Sequence, residues 1–288
     1  MGFNARLGNI LDALKSISAQ QFQSLERTLR LHETFFSAVE TLAGTFDLEH
    51  IKHPFTQDSG PVGVIAVTSD SGLLGGLNQW VVSSAVQEYR QAPGQIMVIG
   101  ERGLAFVEEY GLACQPFPGV QDSTRWELAG RVRDYALNQV LSGSLSALTI
   151  VYPRALSFTL QRVELIHALP CGVWFQERTV PRGVGEAAVL LESAFSEVLE
   201  YLVWFWLGRK LFDVFGLARL AELAARSTHL EGSSQELAHR GYMLRLKYFR
   251  QRRESIDRNI RELFSARSLY QNLPPTGVQE NEEDTPHS

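Results

Sequence analysis

Cysteine is scarce in this chain, and the spacings that signal a metal or redox centre are missing. The 288 residues hold two cysteines, Cys114 and Cys171, and no C-x-x-C pair. A zinc site or a thioredoxin-like centre is therefore not expected. We interpret both cysteines as reduced, partly buried thiols of a cytosolic protein. His50 and His53 lie close together in sequence, but no third ligand stands near them, and we expect both at the surface.

Long apolar runs are missing too. The longest strongly apolar segment is YLVWFWLG, residues 201–208, which is much shorter than the ~20 residues that cross a bilayer. The first sixteen residues, MGFNARLGNILDALKS, lack the continuous apolar stretch of a signal peptide. We therefore expect no direct membrane span, so that any membrane association goes through a partner or lies at the surface.

The chain as a whole lacks an excess of positive charge. Its net charge is −5 and its pI is near 5.8, which argues against a general nucleic-acid binder. Basic residues are nevertheless concentrated between Arg245 and Arg261, where seven stand against two acids. The final segment, PPTGVQENEEDTPHS, is acidic and rich in proline, and we predict a disordered tail there.

The motifs of common catalytic sites are also absent. No G-x-S-x-G and no H-E-x-x-H occurs, and the pair Glu108 and Glu109 is typical of a solvated helix end. We therefore predict no catalytic residue, no cofactor and no metal.

Two regions have helical periodicity. Between Asn9 and Ala43 there is no Gly or Pro, and a largely apolar seam advances in steps of three or four, so that one helix about 50 Å long is predicted, with Gly44 as its stop signal. From Glu186 to Ala266 there is no proline, and the seam returns towards the end. Its positions there are Tyr242, Leu246, Phe249, Ile256, Ile260 and Leu263.

The middle of the chain alternates between strand-like and helix-like segments, which favours a parallel α/β sheet. The predicted strands are 63–69, 95–100, 146–153 and 159–170, and the predicted helices are 78–91 and 124–142. Because a long helix with an apolar stripe cannot stay solvated alone, we expect the first helix to pair with the last in an antiparallel coiled coil. The inserted α/β domain would lie between them in sequence.

The predicted domains are a coiled-coil helix over 1–50, an α/β domain over 51–185 and a helical region with the second coiled-coil helix over 186–268. A disordered acidic tail over 269–288 completes the chain.

The loop TSDSGLLGGLN, residues 68–78, contains three glycines, Gly72, Gly75 and Gly76. It is neither a Walker motif nor G-x-G-x-x-G. It does join a strand to a helix, where main-chain N–H groups can hold an anion, but the nearest downstream cation in sequence is Arg90. We favour a tight structural turn that uses the conformational freedom of glycine, with phosphate binding as the alternative.

This loop resembles the S-[TD]-R-G-L-C-G-G-L-N signature of the gamma subunit of F-type ATP synthases. Further segments resemble that family in the same order along the chain up to about residue 268. They are KHPF (52–55), MVIGERGLAFVEEYG (97–111), LTIVYPRALSFTLQRVELIHALP (148–170), LARLAELAARSTH (217–229) and RRESIDRNIREL (252–263).

The sequence also departs from the family. The Arg and Cys of the glycine signature are Ser71 and Leu74, and SISAQQFQSLERTL shares little with the usual N-terminal helix. A family Gln and a family Thr of the last helix are Arg253 and Asp257 here. These departures indicate a divergent branch, for which the alternative sodium-translocating bacterial ATPases are one candidate.

The resemblance implies a fold and a function. The fold is an antiparallel coiled coil of the N- and C-terminal helices with an inserted Rossmann-like α/β domain. The function is that of a non-catalytic central-stalk rotor, peripheral on the cytoplasmic face of the bacterial inner (plasma) membrane. Its partners would be the alpha and beta subunits, the epsilon subunit and the membrane c-ring.

The resemblance also suggests contact residues. Those implied for the catalytic ring are Arg219, Arg252, Arg253, Asp257 and Glu262; without the family, the basic stretch would be interpreted as a solvated helix face. Those implied for the foot of the stalk are Trp204, Phe205 and Trp206, with burial against the α/β domain as the alternative.

Two other functions remain open from the sequence. The chain could be a stand-alone α/β enzyme or nucleotide-binding protein that uses the Gly72–Gly76 loop. It could also be a coiled-coil adaptor of gamma ancestry that binds the ring without coupling, an option raised by Arg253 and Asp257.

Overall fold

The computed structural model describes residues 2–29, 32–43, 53–57, 59–172 and 194–271. The chain divides into two compact units, Met1–Ser234 and Gln235–Ser288. The predicted boundaries at 50/51 and 185/186 lie outside the described residues, as do residues 272–288 of the tail predicted over 269–288. Residues 269–271 belong to the last helix.

Six α-helices and five β-strands make up the described part of the chain. The helices are α1 (Gly2–Thr28), α2 (Glu33–Ala43), α3 (Leu77–Gln91), α4 (Glu101–Glu109), α5 (Arg125–Leu141) and α6 (Phe195–Gln271). The strands are β1 (Val62–Val67), β2 (Pro93–Ile99), β3 (Cys114–Phe117), β4 (Ala147–Ala155) and β5 (Gln161–Leu169).

The strands form one sheet in the order β3-β2-β1-β4-β5. The first four are parallel, and β5 returns antiparallel to β4 as a hairpin. The predicted strands and the two predicted helices of this region are confirmed to within a few residues. Strand β3 was not predicted, because its four residues include Pro116, which is tolerated at a sheet edge but weakens the strand pattern.

Both faces of the sheet are covered, which explains why β1 is apolar at nearly every position. Ile65 and Val67 point into a core shared with α5, α2 and the first turns of α6. Val64 and Ala66 point to the opposite face, where Val81 and Ala85 of α3 cover them. Alternation along a strand sends successive side chains to opposite faces, so a strand with two covered faces must be apolar throughout.

The long first helix predicted from the sequence is interrupted. Helix α1 ends at Thr28, and α2 begins at Glu33. The main-chain N–H of His32 donates a hydrogen bond of 2.9 Å to Asp213 Oδ2 on α6. A distant carboxylate thus replaces the main-chain carbonyl that would accept this bond in a continuous helix. The prediction of one continuous helix was wrong because that carboxylate is not visible in the local sequence.

Helix α1 packs antiparallel to α6 within the first unit. Early residues of α1 meet late residues of α6, as in the 2.7 Å contact from Lys15 Nζ to Glu231 Oε2. Phe22 then packs with Leu220 and Leu223, which lie earlier on α6. The antiparallel pair of N- and C-terminal helices is therefore confirmed.

Within the first unit, the described contacts of α1 with α6 involve residues of α6 up to Ser234. In the second unit, which the structure describes to Gln271, the six seam positions from Tyr242 to Leu263 are between 45% and 70% exposed. Because α1 is matched with α6 in the register that joins Asp12 to Ser234, the positions that cover Lys15 and Phe22 all lie before residue 235.

Candidate functional site

Helix α6 is held to α1 by polar contacts at one end and to α2 by aromatic packing at the other. Lys15 Nζ donates to Glu231, and this hydrogen bond raises the pKa of the lysine. Ser234 Oγ donates 3.1 Å to Asp12. At the other end the ring of Phe36 on α2 packs edge-on against Trp206, with centroids 5.8 Å apart.

Between these ends lies a polar cluster around His32. Its Nδ1 is 2.7 Å from Asp213 Oδ1, and its Nε2 meets the guanidinium of Arg209. Arg125 of α5 lies with its Cζ 4.1 Å from the centroid of the Phe212 ring, and burial lowers the pKa of this guanidinium. The cluster joins α2, α5 and α6 at the break between α1 and α2.

The glycine loop joins β1 to α3 and contains two residues with positive φ. Gly75 has φ +61° and Leu73 has φ +64°, in the left-handed region. Gly76 is the N-cap of α3, and a Cβ there would lie 3.0 Å from the Trp80 ring. Asn78 Nδ2 donates 3.0 Å to Ser69 Oγ and so closes the loop.

The loop packs against α6. Leu74 and Leu77 form a small apolar cluster with Ala225. The cavity between the loop and Arg219 on α6 has a volume of only about 10 Å³, which is room for roughly one water molecule. The apolar packing and the small cavity favour a structural contact between the sheet and α6 over a nucleotide-binding site.

Asp70 of the same loop ties together two neighbouring segments. Its Oδ1 accepts from the main-chain N–H of Glu101 at 2.9 Å and of Gly119 at 3.1 Å. The first of these bonds places a carboxylate at the start of α4, where the helix dipole favours negative charge. The fold also brings Arg102 to 3.5 Å from the position that a Cβ on Gly72 would occupy.

The surroundings of Arg102 and His53 were not predicted from the sequence. Arg90 is the nearest downstream cation in sequence, whereas Arg102 approaches the loop through the parallel pairing of β1 and β2. We expected His53 at the surface. That prediction was wrong: His53 is 6% exposed, because its Nδ1 accepts from the N–H of Phe55 and its Nε2 meets Glu200. His50 lies outside the described residues.

The implied ring-contact residues lie in two places. Arg219 is on α6 beside the glycine loop and donates 2.7 Å to Glu222. Glu222 is 6% exposed and also accepts from Arg226. The other four, Arg252, Arg253, Asp257 and Glu262, are exposed on α6 in the second unit.

The three implied stalk-foot aromatics have different surroundings. Trp206 is 3% exposed and belongs to the core, whereas Trp204 and Phe205 are each 40% exposed. Trp204 Nε1 donates 3.2 Å to Asp134, and its ring lies 3.6 Å from Arg133 Cζ. Tyr201 stacks next to Trp204 and Phe205, with interplanar angles of 17° and 5°.

The described residues contain no group of three or more His, Cys, Asp and Glu side chains that could hold a metal. Within those same ranges, no helix is long and apolar enough to cross a membrane.

Comparison with known proteins identifies the family. The sequence model of the family described as ATP synthase matches residues 5–268. The chain belongs to the ATP synthase family.

Within this family, the relatives that the chain matches are gamma chains. The ATP synthase gamma chain of Clostridium beijerinckii is 25% identical over 265 residues, which cover 88% of this chain and 90% of the relative. That of Thiobacillus denitrificans is 30% identical over 173 residues, or 56% of this chain and 59% of the relative. The resemblance to the gamma subunit that starts from the glycine loop is confirmed.

Solved structures of this family share the fold. A chain of the Euglena gracilis mitochondrial ATP synthase, described as OSCP/F1/c-ring, matches with a TM-score of 0.62 at 16% identity, over 98% of this chain and 96% of its own. A chain of the Tetrahymena thermophila central stalk and c-ring matches with a TM-score of 0.60 at 16% identity, over 78% and 99%. A gamma chain is a non-catalytic rotor subunit.

Proposed function

We propose that this chain is the central-stalk rotor of a bacterial F-type ATP synthase or ATPase. It couples ion flow through the membrane c-ring to ATP synthesis or hydrolysis in the surrounding alpha and beta subunits. The observation that carries the proposal is the antiparallel packing of α1 along α6, from Asp12 and Ser234 to Phe22 and Leu223.

Such a pair has the stiffness that a rotor needs. Buried side chains at steps of three and four lock two helices into one rod, and Phe22, Leu223 and Ala224 supply them here. A rod acts on its partners by contacting their alternative conformations differently. In the proposal the chemistry belongs to those partners and the chain supplies the asymmetric surface.

The proposed contact with the alpha and beta subunits lies on the second unit and at one position of the first. Four of these residues are exposed on α6, namely Arg252, Arg253, Asp257 and Glu262. An ion pair between exposed side chains contributes only about 0–1 kcal/mol. Weak contacts suit a surface that must form and break them in every turn. Arg219 is included in this proposal, although one of its hydrogen bonds already goes to Glu222.

The proposed contact at the foot of the stalk includes fewer residues than the sequence implied. We keep Trp204 and Phe205, which are part of an exposed stacked group with Tyr201, and remove Trp206, which is buried. Aromatic side chains are enriched in the cores of protein interfaces. The proposed partners are the c-ring and the epsilon subunit, at the cytoplasmic face of the bacterial inner membrane.

Reconstitution with alpha and beta subunits tests the proposal. The three proteins are mixed, and ATP hydrolysis is measured with and without this chain. A rotor should restore ATPase activity and should show no nucleotide affinity alone, as measured by calorimetry with ATP and ADP.

Two outcomes would replace the proposal with one of its alternatives. Tight nucleotide binding by the isolated chain, with no effect on the alpha and beta subunits, would indicate a stand-alone nucleotide-binding protein. Binding to the ring without ATP-driven ion pumping in the complete complex would indicate a non-coupling adaptor.

A further inference from the structure

Four of the seven basic side chains between residues 245 and 261 lie on a different face of α6 from the apolar seam. At about 100° per residue, the six seam positions from Tyr242 to Leu263 fall within roughly 100° of arc. Four basic residues fall within a separate arc of roughly 80° by the same helical period. We call these four residues the basic stripe: Lys247, Arg250, Arg258 and Arg261.

The basic stripe is accessible and incompletely balanced by its own helix. All four side chains are exposed. Arg250 Nε lies 3.4 Å from Glu254 Oε1, an i,i+4 pair whose two side chains are 84% and 64% exposed. Asp257 lies four residues before Arg261, and Glu262 lies four residues after Arg258. Between residues 245 and 262 seven basic residues stand against these three acids, so this part of α6 keeps a net charge of +4.

Arg252 and Arg253, the proposed ring contacts, project from the apolar side of the helix by the same count. The basic stripe therefore faces away from Arg252 and Arg253, while Asp257 and Glu262 lie along its two edges.

We propose that the basic stripe binds the acidic segment of the same chain that carries Glu280, Glu282, Glu283 and Asp284. This segment lies among residues 272–288, outside the described residues. Its four carboxylates within five positions equal the four cations of the stripe in number and are opposite to them in charge. The contact occupies the stripe in the free chain and leaves Arg252 and Arg253 uncovered.

The length of chain between the two charged groups permits this contact. Arg261 and Arg258 precede Gln271 by about 15 and 20 Å along α6, at ~1.5 Å per residue. The nine steps from Gln271 to Glu280 can span up to about 30 Å at ~3.3 Å per residue. Glu280 can therefore reach Arg261 and Arg258. Asp284, which can lie up to about 43 Å from Gln271, can reach Arg250 and Lys247.

Heparin chromatography of the full chain tests the proposal, because heparin is a polyanion that competes for the stripe. The tail variant carries Glu280→Gln, Glu282→Gln, Glu283→Gln and Asp284→Asn. The matched control carries Glu108→Gln, Glu109→Gln, Glu127→Gln and Glu197→Gln, which are exposed acids of the first unit. Both variants change the net charge equally, so a difference between them reports position rather than total charge.

We expect the tail variant to elute at a higher NaCl concentration than the matched control. The extra shift should disappear in a background with Lys247→Gln, Arg250→Gln, Arg258→Gln and Arg261→Gln. Equal elution of the two variants, or an extra shift that survives in that background, would overturn the proposal. Circular dichroism checks that all variants keep the helix content of the unaltered chain.

Carbodiimide cross-linking identifies the occupant directly. Lys247 is the one lysine of the basic stripe, and we expect it to join a carboxylate of the acidic segment within a single chain, as mapped by mass spectrometry. Cross-links found only in dimers would assign the acidic segment to a second copy and overturn the intrachain contact. Both measurements use the isolated chain, so their result is independent of whether the chain couples ATP hydrolysis to ion flow.

Discussion

Both carboxylate oxygens of Asp213 contact His32, although the two residues lie 181 positions apart in the sequence. Its Oδ2 accepts from the main-chain N–H of His32 at 2.9 Å, and its Oδ1 lies 2.7 Å from the imidazole Nδ1. An ionised carboxylate only accepts hydrogen bonds, so Nδ1 carries the proton and Nε2 faces Arg209. Asp213 is 4% exposed, and His32 is the residue just before α2.

Replacing this carboxylate should destabilise the helix pair. We expect Asp213→Asn to lower the free energy of unfolding by about 1.5–3 kcal/mol, because it weakens two hydrogen bonds to a buried charged group. Urea unfolding followed by circular dichroism measures the change. Asp12→Asn, on the same helix pair but with a side chain 56% exposed, should change the stability by less than about 0.5 kcal/mol. Equal effects of the two variants would contradict the role of Asp213.

Two glycines of α6 allow the effect of helix propensity on stability to be separated from the effect of close packing. A Cβ on Gly232 would meet nothing within 4 Å, whereas a Cβ on Gly216 would lie 2.5 Å from Leu29 Cδ1 and from Arg125 Nη1. We expect Gly232→Ala to stabilise the chain by about 0.5–1 kcal/mol through helix propensity alone. Gly216→Ala should lose this gain or destabilise, because Leu29, just after α1, and Arg125 of α5 close around it. Thermal unfolding distinguishes the two. If both substitutions stabilise equally, α1 does not approach α6 closely at Gly216.

The carboxylate of Glu164 on β5 should make stability depend on pH. Burial acts to raise its pKa, but hydrogen bonds from Arg162, Tyr152 and Arg154 outweigh burial and lower it. A folded-state pKa below the unfolded value contributes stability at higher pH. This contribution is lost as the pH falls below the ordinary value of about 4.5.

Glu164→Gln should therefore cost about 1–3 kcal/mol at neutral pH and progressively less in acid, where the carboxylate of the unaltered chain is protonated as well. Unfolding free energies measured between pH 7 and pH 3 check this convergence. Glu127→Gln, at an exposed position of α5, is the control and should give a curve parallel to that of the unaltered chain. A constant difference between Glu164→Gln and the unaltered chain at every pH would contradict the assignment.

The proposed ring contact predicts a defect in coupling without a defect in folding. Arg252→Glu with Arg253→Glu should reduce ATP-driven ion pumping in the assembled complex, because the reversed charges would repel the acidic partner groups that the proposed contact requires. The isolated variant should unfold at the same urea concentration as the unaltered chain, since both side chains are exposed. Arg90→Glu with Arg131→Glu reverses two exposed charges of the α/β region and should pump normally. Normal pumping by the first variant would count against the contact.

Much of the fold follows from periodicity. Strands β1, β2 and β4 can be recognised from short apolar runs, and α3 and α5 from the segments between them. The turn at Gly72–Gly76 can be recognised as well, because the left-handed conformation at Gly75 is a demand that glycine meets locally.

The functional surfaces were only partly predictable, and the tryptophans show why. YLVWFWLG presents aromatic side chains on every side of a helix, so its sequence does not say which one is covered. The fold buries Trp206 against Phe36 of α2 and leaves Trp204 40% exposed. Which tryptophan is buried depends on contact with a helix about 170 positions earlier in the chain. The local spacing of residues carries no information about that contact.

The amino-acid sequence by itself determined four of the five strands, helices α3 and α5, the amphipathic seams and the glycine-rich connection between β1 and α3, because each rests on the spacing of neighbouring residues. Only the tertiary structure decided where α1 stops, which face of α6 is covered and that His53 is buried. These outcomes depend on hydrogen bonds and contacts between distant segments, such as Asp213 with His32 and Glu200 with His53, and such partners become neighbours only when the chain folds.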